Sequence, residues 1–181
     1  SLYGVGHIAA EQGDLATAEK VLSEALEMDR RFDRRRPMAY STYQLGEIAL
    51  MRGDLALARQ RHGEALAIRT ALGEKGTAAE SRSALAVIAL EEGKAAEAEK
   101  LAAGAAEVFA AQSAPDNEAM ARATLALAML AQGRRSQATR EIERAQALVK
   151  NPQHVLARQP VLIAAAGVAE VAVSSAFLPH A

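Results

Sequence analysis

Four glycines recur at one fixed interval, and this interval constrains the fold more than any other feature of the chain. Gly13, Gly53, Gly93 and Gly133 are spaced 40 residues apart, although glycine makes up only 12 of the 181 residues. Glycine often ends a helix because it adopts the left-handed backbone conformation without steric strain. At the second position Asp54 follows, and its side chain can cap a new helix. The interval therefore predicts a repeated helix–turn–helix unit.

Apolar and small residues follow the same interval. Each glycine is preceded by a large residue and then a small one: Val5-Gly6, Leu45-Gly46, Leu85-Ala86 and Leu125-Ala126. Two columns after the turn are alanine: Ala18, Ala58, Ala98 and Ala138, and Ala25, Ala65, Ala105 and Ala145. Two further columns are apolar: Ile8, Ile48, Ile88 and Ala128, and Ala10, Leu50, Leu90 and Leu130. Because a small side chain lets two helix axes approach closely, these columns predict one buried stripe that runs through stacked helices.

The segment LGEIALMRGDLALARQRHGEAL, residues 45–66, resembles the tetratricopeptide repeats. The resemblance covers about residues 2–149. Its interval is longer than the usual pitch of about 34 residues and is similar to the variant in kinesin light chains and in bacterial signalling ATPases and transcription activators. HEAT and armadillo repeats have a comparable length but lack this spacing. The resemblance implies an all-α fold, a right-handed α-solenoid of about four antiparallel helix pairs with a C-terminal capping helix.

We expect one solenoid domain over residues 1–181. Its predicted repeats are 1–35, 36–75, 76–113 and 114–151, and its capping helix is 153–178. We expect helices at about 2–12, 15–29, 38–52, 55–71, 77–92, 95–112, 115–132 and 135–149. Because the chain starts without Met, we expect it to be a fragment of a longer protein.

Residues near the predicted helix starts suggest how each helix is capped. Pro37 is expected to open the third helix, where its missing N–H does little harm. Thr77 with Glu80, and Ser113 with Asp116, fit capping boxes. Lys94 replaces the capping aspartate, which is expected to cost about 1 kcal/mol. A bend is expected at Pro160.

Charge and composition exclude several classes of function. The net charge is −1, from 21 basic and 22 acidic residues, so we expect no direct nucleic-acid partner and no membrane partner. The absence of cysteine excludes disulfides and thiolate chemistry. Five arginines in residues 29–37 are interpreted as a solvated loop, with contact to an anionic partner as the alternative. No signal peptide is present, and we expect a cytoplasmic protein.

The last apolar stretch, residues 161–178, allows two interpretations. A membrane span is the weaker one, since Glu170 lies within the stretch and alanine and serine dominate it. The favoured interpretation is the terminal cap of the stack. A homodimer formed through this helix is a further hypothesis.

No residue pattern indicates catalysis. Of the four histidines, no two share one helix face at an interval of four residues, and His7 with Glu11 is too small a set for a closed metal site. His62 is expected to be buried and structural. No phosphate-binding loop or nucleophile elbow is present. We therefore expect no enzyme activity, no metal and no other cofactor.

The resemblance implies a partner-binding concave face along the first helix of each pair. In this sequence the corresponding positions are Tyr3, His7, Tyr40, Tyr43, Glu47, Met51, Ser83, Val87 and Leu127. All three tyrosines of the chain fall on or near this face, and tyrosine is a favoured hot-spot residue. The alternative is that these tyrosines only pack between neighbouring first helices.

Two hypotheses of function follow. The first is a non-catalytic scaffold that captures a protein or peptide segment along the groove. The second is a regulatory segment of a bacterial multidomain protein, in which a small effector or another domain of the same polypeptide occupies the groove and shifts a two-state equilibrium.

Overall fold

The computed structural model describes residues 2–151 and 155–176, and within these ranges every regular element is an α-helix. In chain order the helices are α1 (Leu2–Glu11), α2 (Leu15–Arg31), α3 (Arg35–Met51), α4 (Leu55–Ala71), α5 (Lys75–Glu91), α6 (Ala95–Ala111), α7 (Pro115–Ala131), α8 (Arg135–Leu148) and α9 (Val155–Ala176). The all-α prediction is confirmed, and consecutive helices form antiparallel pairs of the tetratricopeptide type.

Seven of the connections share one turn geometry. Each turn holds one residue with positive φ, and these residues lie 20 residues apart: Gly13, Asp33, Gly53, Gly73, Gly93, Ser113 and Gly133. At the sixth turn the N–H of Ser113 donates to the Ala110 carbonyl at 3.2 Å, and the N–H of Ala114 donates to the Phe109 carbonyl at 3.0 Å. This pair of bonds defines a Schellman motif, which satisfies the last carbonyls of the helix. The turn thus recurs within repeats and between them.

Both predicted capping boxes are wrong. Helix α5 begins at Lys75, two residues before the predicted start, and the Thr77 hydroxyl donates back to the Glu74 carbonyl at 3.4 Å. Ser113 does not cap α7 but takes the left-handed turn position that glycine holds elsewhere, with φ of 54°. Pro115 occupies the first turn of α7, where its missing N–H does little harm.

At the other helix starts, capping depends on the residue at the last position of the preceding turn. The Asp54 side chain accepts a hydrogen bond from the N–H of Leu57 at 3.0 Å, as predicted, and Asp14 caps α2 in the same way. Lys94, at the start of α6, makes no capping hydrogen bond with its side chain.

The arginine-rich segment is mostly helical, which corrects the prediction of a loop over residues 29–37. Helix α2 continues to Arg31 and α3 begins at Arg35, so only residues 32–34 form the turn. Pro37 is consequently the third residue of α3 and does not open the helix. The Asp33 N–H donates to the Arg30 carbonyl at 3.2 Å, which shows that the charged segment adopts the same compact turn as the glycine sites.

Contacts divide the chain into two compact units, unit 1 (Ser1–Ile88) and unit 2 (Ala89–Ala181). The single-domain organisation with its repeat boundaries stays a prediction. The core of α1, α2 and α3 in unit 1 consists of Ala9, Ala18, Leu22, Leu26, Leu45 and Ile48. Val5 and Ile8 were expected in the buried stripe but are 55% and 54% exposed. Their side of α1 has no helix packed on it among the residues described.

Two glycines in unit 1 allow large side chains to enter between the paired helices. A Cβ at Gly6 would lie 2.6 Å from Cγ of Leu22, and one at Gly46 would lie 2.8 Å from Nε2 of His62. Leu22 and His62 are both fully buried. The small residue of each large–small pair therefore makes room for a particular side chain of the partner helix, as the sequence pattern predicted.

In unit 2, helix α9 packs on α7 and α8. Its buried side chains join those of α7 and α8 in one core cluster: Ala157, Val161, Ala164 and Val168. The prediction of a further helix at 153–178 agrees with α9, and its parts at 153–154 and 177–178 lie outside the described residues. Among the helices that the structure describes, none is long and apolar enough to cross a membrane.

Candidate binding face of unit 1

The predicted binding residues of unit 1 lie on α1, α3 and α5, and we call this surface the first-helix face. At one end the Tyr3 and Tyr40 rings lie 5.8 Å apart between centres, and Tyr3 stacks on His7 at 6.0 Å. Nδ1 of His7 lies 3.1 Å from Nε2 of Gln44 on α3. These contacts join α1 to α3, and Tyr40 remains 36% exposed.

Arg69 of α4 reaches between α3 and α5 and organises the middle of this face. Its side chain is 1% exposed. One guanidinium nitrogen, Nη1, donates to the Thr77 carbonyl at 2.7 Å and to the Ser81 hydroxyl at 3.0 Å. The guanidinium carbon lies 4.4 Å from the centre of the Tyr43 ring and 5.6 Å from that of Tyr40. A buried cation is thereby held by hydrogen bonds and by two aromatic faces.

Tyr43 lies between Arg69 and His62. Its ring meets His62 edge-on at 4.9 Å between centres, and its hydroxyl donates a hydrogen bond to the Glu47 carboxylate. Nε2 of His62 lies 3.2 Å from Oε1 of Glu47 without forming a hydrogen bond. The prediction that His62 is buried is confirmed. Most of the Tyr43 ring packs inside unit 1, whereas Glu47 is 32% exposed at the surface.

Two carboxylates on neighbouring first helices set the charge of the face. Burial raises the pKa of Glu80, Arg69 opposes this effect, and the negative charge of Glu47 adds to it. Burial also raises the pKa of Tyr43 well above its usual range, with the charges of Glu47 and Glu80 acting in the same direction. Like charges disfavour each other, so the Glu47 carboxylate contributes to the raised pKa of Glu80. This part of the face therefore presents negative charge.

A cavity of about 460 Å³ opens where the ends of three helices meet. Leu2 and Tyr3 of α1, Met28 and Asp29 of α2, and Pro37 and Tyr40 of α3 contribute to its lining, together with Arg34 from the turn. Nη2 of Arg34 lies 2.7 Å from Oδ1 of Asp29. The cavity is thus mostly apolar and has one ion pair in its wall.

The other predicted binding residues are more scattered. Met51, at the far end of α3, is 63% exposed. Ser83 and Val87 of α5 are partly buried, and the Ser83 hydroxyl is buried without a hydrogen bond. Leu127 belongs to unit 2, where its Cδ2 lies 3.8 Å from the Cβ position of Gly167 on α9. The face of unit 1 thus contains all of the predicted positions except Leu127.

Arg69 was not anticipated from the sequence. The 40-residue interval places it in one column with Asp29, Phe109 and Val149, and all four are buried. The available signal was a column that holds two charged residues, Asp29 and Arg69, beside two apolar ones. No group of three or more metal-ligating side chains occurs among the residues that the structure describes.

These features define a class of protein, a helical-repeat protein built from antiparallel helix pairs. Residues 1–71 match the family model of the tetratricopeptide repeat. This match covers the first repeats of the chain, and the described helices have the fold of tetratricopeptide-like solenoids. Repeats of this fold commonly mediate protein–protein interaction and are generally non-catalytic. A comparison with curated proteins finds no match.

Solved structures agree with this assignment at the level of the fold. The apo form of RapI is similar with a TM-score of 0.78 at 13% identity, over 82% of this chain. The chain spans about half of RapI's length, 54%. BtubC (BKLC) from P. vanneervenii has a TM-score of 0.73 at 19% identity, covering 99% of this chain and 82% of that one. A putative kinesin light chain of Podosopora anserina with nearly identical TPR-like repeats has a TM-score of 0.71 at 16% identity, covering 91% and 83%.

Proposed function

We propose that the chain is a non-catalytic scaffold that binds a protein or peptide segment on the first-helix face of unit 1. The observation that supports this most strongly is the arrangement along α3, where Tyr40 in the first half of the helix and Met51 at its last position are exposed. The half-exposed Glu47 lies between them. Large exposed side chains around a charged group are typical of a polypeptide-binding surface.

The rigid support beneath these side chains also favours binding. Arg69 ties α3 to α5, and the Tyr3–Tyr40 contact ties α1 to α3. A surface whose backbone is fixed before the partner arrives loses less conformational entropy on binding. The negative charge of Glu47 and Glu80 leads us to expect basic residues in the bound segment.

Panning a random peptide library on the purified chain, followed by fluorescence polarisation with the enriched peptides, tests the proposal. The double variant Tyr40→Ala/Met51→Ala should weaken binding by about tenfold or more, because exposed aromatic anchors commonly contribute over 1 kcal/mol each. Ile8→Ala is the matched control, since it removes an equally exposed apolar side chain on α1 that the face does not use. Equal affinity of wild type and double variant would refute the assignment.

The cavity supports a second candidate function, an effector-sensing segment of a larger regulatory protein. A mostly apolar cavity with one ion pair in its wall is typical of small-molecule sites. A small ligand bound there would contact α1, α2 and α3 together and would stabilise their relative positions.

A further inference from the structure

The volume of the cavity in unit 1 suits a small molecule better than a single side chain of a bound peptide. Its volume of about 460 Å³ exceeds what one amino-acid side chain occupies. It falls within the range of about 300–1,000 Å³ that small-molecule sites usually have. The occupant should therefore be a compact molecule with its own apolar body.

The apolar wall favours an aromatic body. The Tyr3 and Tyr40 rings both line the cavity, tilted by 57° to each other, and Leu2, Met28 and Pro37 complete the apolar surface. A flat ring can pack against one tyrosine face and meet the edge of the other, the geometry that aromatic pairs prefer.

The polar part of the wall favours a carboxylate. The Asp29 side chain is 6% exposed and forms an ion pair with Nη2 of Arg34, whereas Arg34 is 48% exposed. A guanidinium carries five N–H donors in a planar fork, so a second carboxylate can be bound on another edge while Asp29 keeps its bond. Arg34 is thus placed to bind an anionic group at the mouth of the cavity.

The charge around the mouth of the cavity also favours an anionic ligand. Residues 29–37 contain five arginines and two aspartates. Arg30 pairs with Glu27, and Arg36 pairs with Glu74. The segment remains net positive when these two glutamates are counted, and a net positive rim attracts anions.

We propose that this cavity is a binding site for a small aromatic carboxylate, with the ring against Tyr3 and Tyr40 and the carboxylate on Arg34. The proposal rests on the second candidate function and names the chemistry of its ligand. It does not depend on whether the first-helix face binds a peptide.

Isothermal titration calorimetry with indole-3-acetate as the probe, and indole-3-acetamide as its uncharged counterpart, tests this site. The wild-type chain should bind indole-3-acetate saturably and at least about tenfold more tightly than the amide, the factor expected for one charge-assisted hydrogen bond. No saturable binding of indole-3-acetate at millimolar concentration, or equal affinity for both probes, would overturn the proposal.

Variants that remove charge from the cavity wall test where indole-3-acetate binds. The double variant Asp29→Asn/Arg34→Gln removes both charges of the wall and leaves no buried charge without a partner, so that folding, checked by circular dichroism, should be kept. It should bind both probes with the weak affinity of the amide. Arg31→Gln is the matched control, because it removes the same charge from the same segment but not from the cavity wall, and it should bind like wild type. Indole-3-acetate that still binds the double variant more tightly than indole-3-acetamide does contradicts the site.

Peptide affinity measured on the same proteins separates the two proposals. The double variant Asp29→Asn/Arg34→Gln should weaken indole-3-acetate binding to the affinity of the amide and leave peptide affinity unchanged, whereas Met51→Ala should weaken peptide binding and leave indole-3-acetate binding unaffected. Loss of both ligands in Met51→Ala would contradict a separate small-molecule site.

Discussion

Arg69 lies against the face of Tyr43, with its guanidinium carbon 4.4 Å from the ring centre. The contact occurs in the interior of unit 1, where a side chain of the second helix α4 is bonded to α5 and stacked on α3. Burying a charge is unfavourable unless hydrogen bonds and opposite charges compensate for it. The position of the first helices relative to each other therefore depends on this one arginine.

Replacing Arg69 by methionine should lower the free energy of unfolding by about 3 kcal/mol. The substitution keeps most of the side-chain volume but leaves the Thr77 carbonyl and the Ser81 hydroxyl without their donor, which costs about 1–3 kcal/mol for each buried group. It also removes the positive charge that faces the Glu80 carboxylate at 3.4 Å. Urea unfolding followed by circular dichroism measures the loss.

The matched control is Arg61→Met, on the same helix. Arg61 pairs with Glu64 at 3.3 Å near the surface, and such pairs contribute about 0.5 kcal/mol or less. Similar losses for the two variants would mean that the buried network does not hold the helices together.

Two glycines of unit 2 should respond to alanine in opposite directions. A Cβ would meet no atom within 4 Å at either Gly93 or Gly104, but Gly93 has a φ of +73° whereas Gly104 lies inside α6. Gly93→Ala should destabilise by about 1 kcal/mol, because an L-residue is strained at positive φ. Gly104→Ala should stabilise by about 0.5–1 kcal/mol, because alanine is the better helix former. Thermal unfolding of both variants checks the signs, and two changes of the same sign would contradict the turn geometry.

Ser113→Gly should stabilise the protein by roughly 1 kcal/mol. Ser113 adopts φ of 54° at a turn where five equivalent positions carry glycine. Glycine removes the steric strain of the left-handed conformation, although it adds some entropy to the unfolded chain. A drop in the midpoint of urea unfolding would show that Ser113 is not strained.

The free energy of unfolding of wild type, relative to that of Glu80→Gln, should decrease as pH rises from about 4 towards neutral. Burial is the main cause that raises the pKa of folded Glu80 above its ordinary value of about 4.3. A group with a raised folded pKa contributes stability below its unfolded pKa and loses that contribution as pH rises through the folded one. Urea unfolding of both proteins at several pH values measures the difference.

Glu99→Gln is the control with the opposite sign. Hydrogen bonds from Arg134 and Gln132 hold the pKa of Glu99 below its ordinary value. The contribution of Glu99 to stability is present above its pKa in the unfolded state and is lost as pH falls through its pKa in the folded state. Parallel pH profiles for the two variants would contradict the assigned environments.

The helices could be predicted from the sequence because the buried residues recur at a fixed interval along the chain. The large–small columns predicted a close helix approach at Gly46, and the structure shows that His62 occupies this position. The turns at Asp33 and Ser113 were not recognised, since neither residue is glycine, although both lie on the 20-residue interval. The first turn of a helix is also poorly determined by local signals, and for that reason Thr77 was misread as a cap.

The candidate site was harder to predict from the sequence than the fold was. Spacing placed Tyr3, Tyr40 and Tyr43 on one face, but it could not indicate that Arg69 from the opposite helix would occupy the space beside two of them. The cavity depends on how far three helix ends separate, which is a property of packing and not of any one segment. Exposure of Val5 and Ile8 likewise depends on which helix lies next to α1.

Amide chemical-shift mapping of a peptide selected against the chain tests the central claim most directly. We predict that the largest changes cluster on α1, α3 and α5, around Tyr3, Tyr40, Glu47 and Ser83, with small changes on α2 and α4. Changes concentrated on α2 and α4, or on α9, would contradict the assignment of the first-helix face as the binding surface.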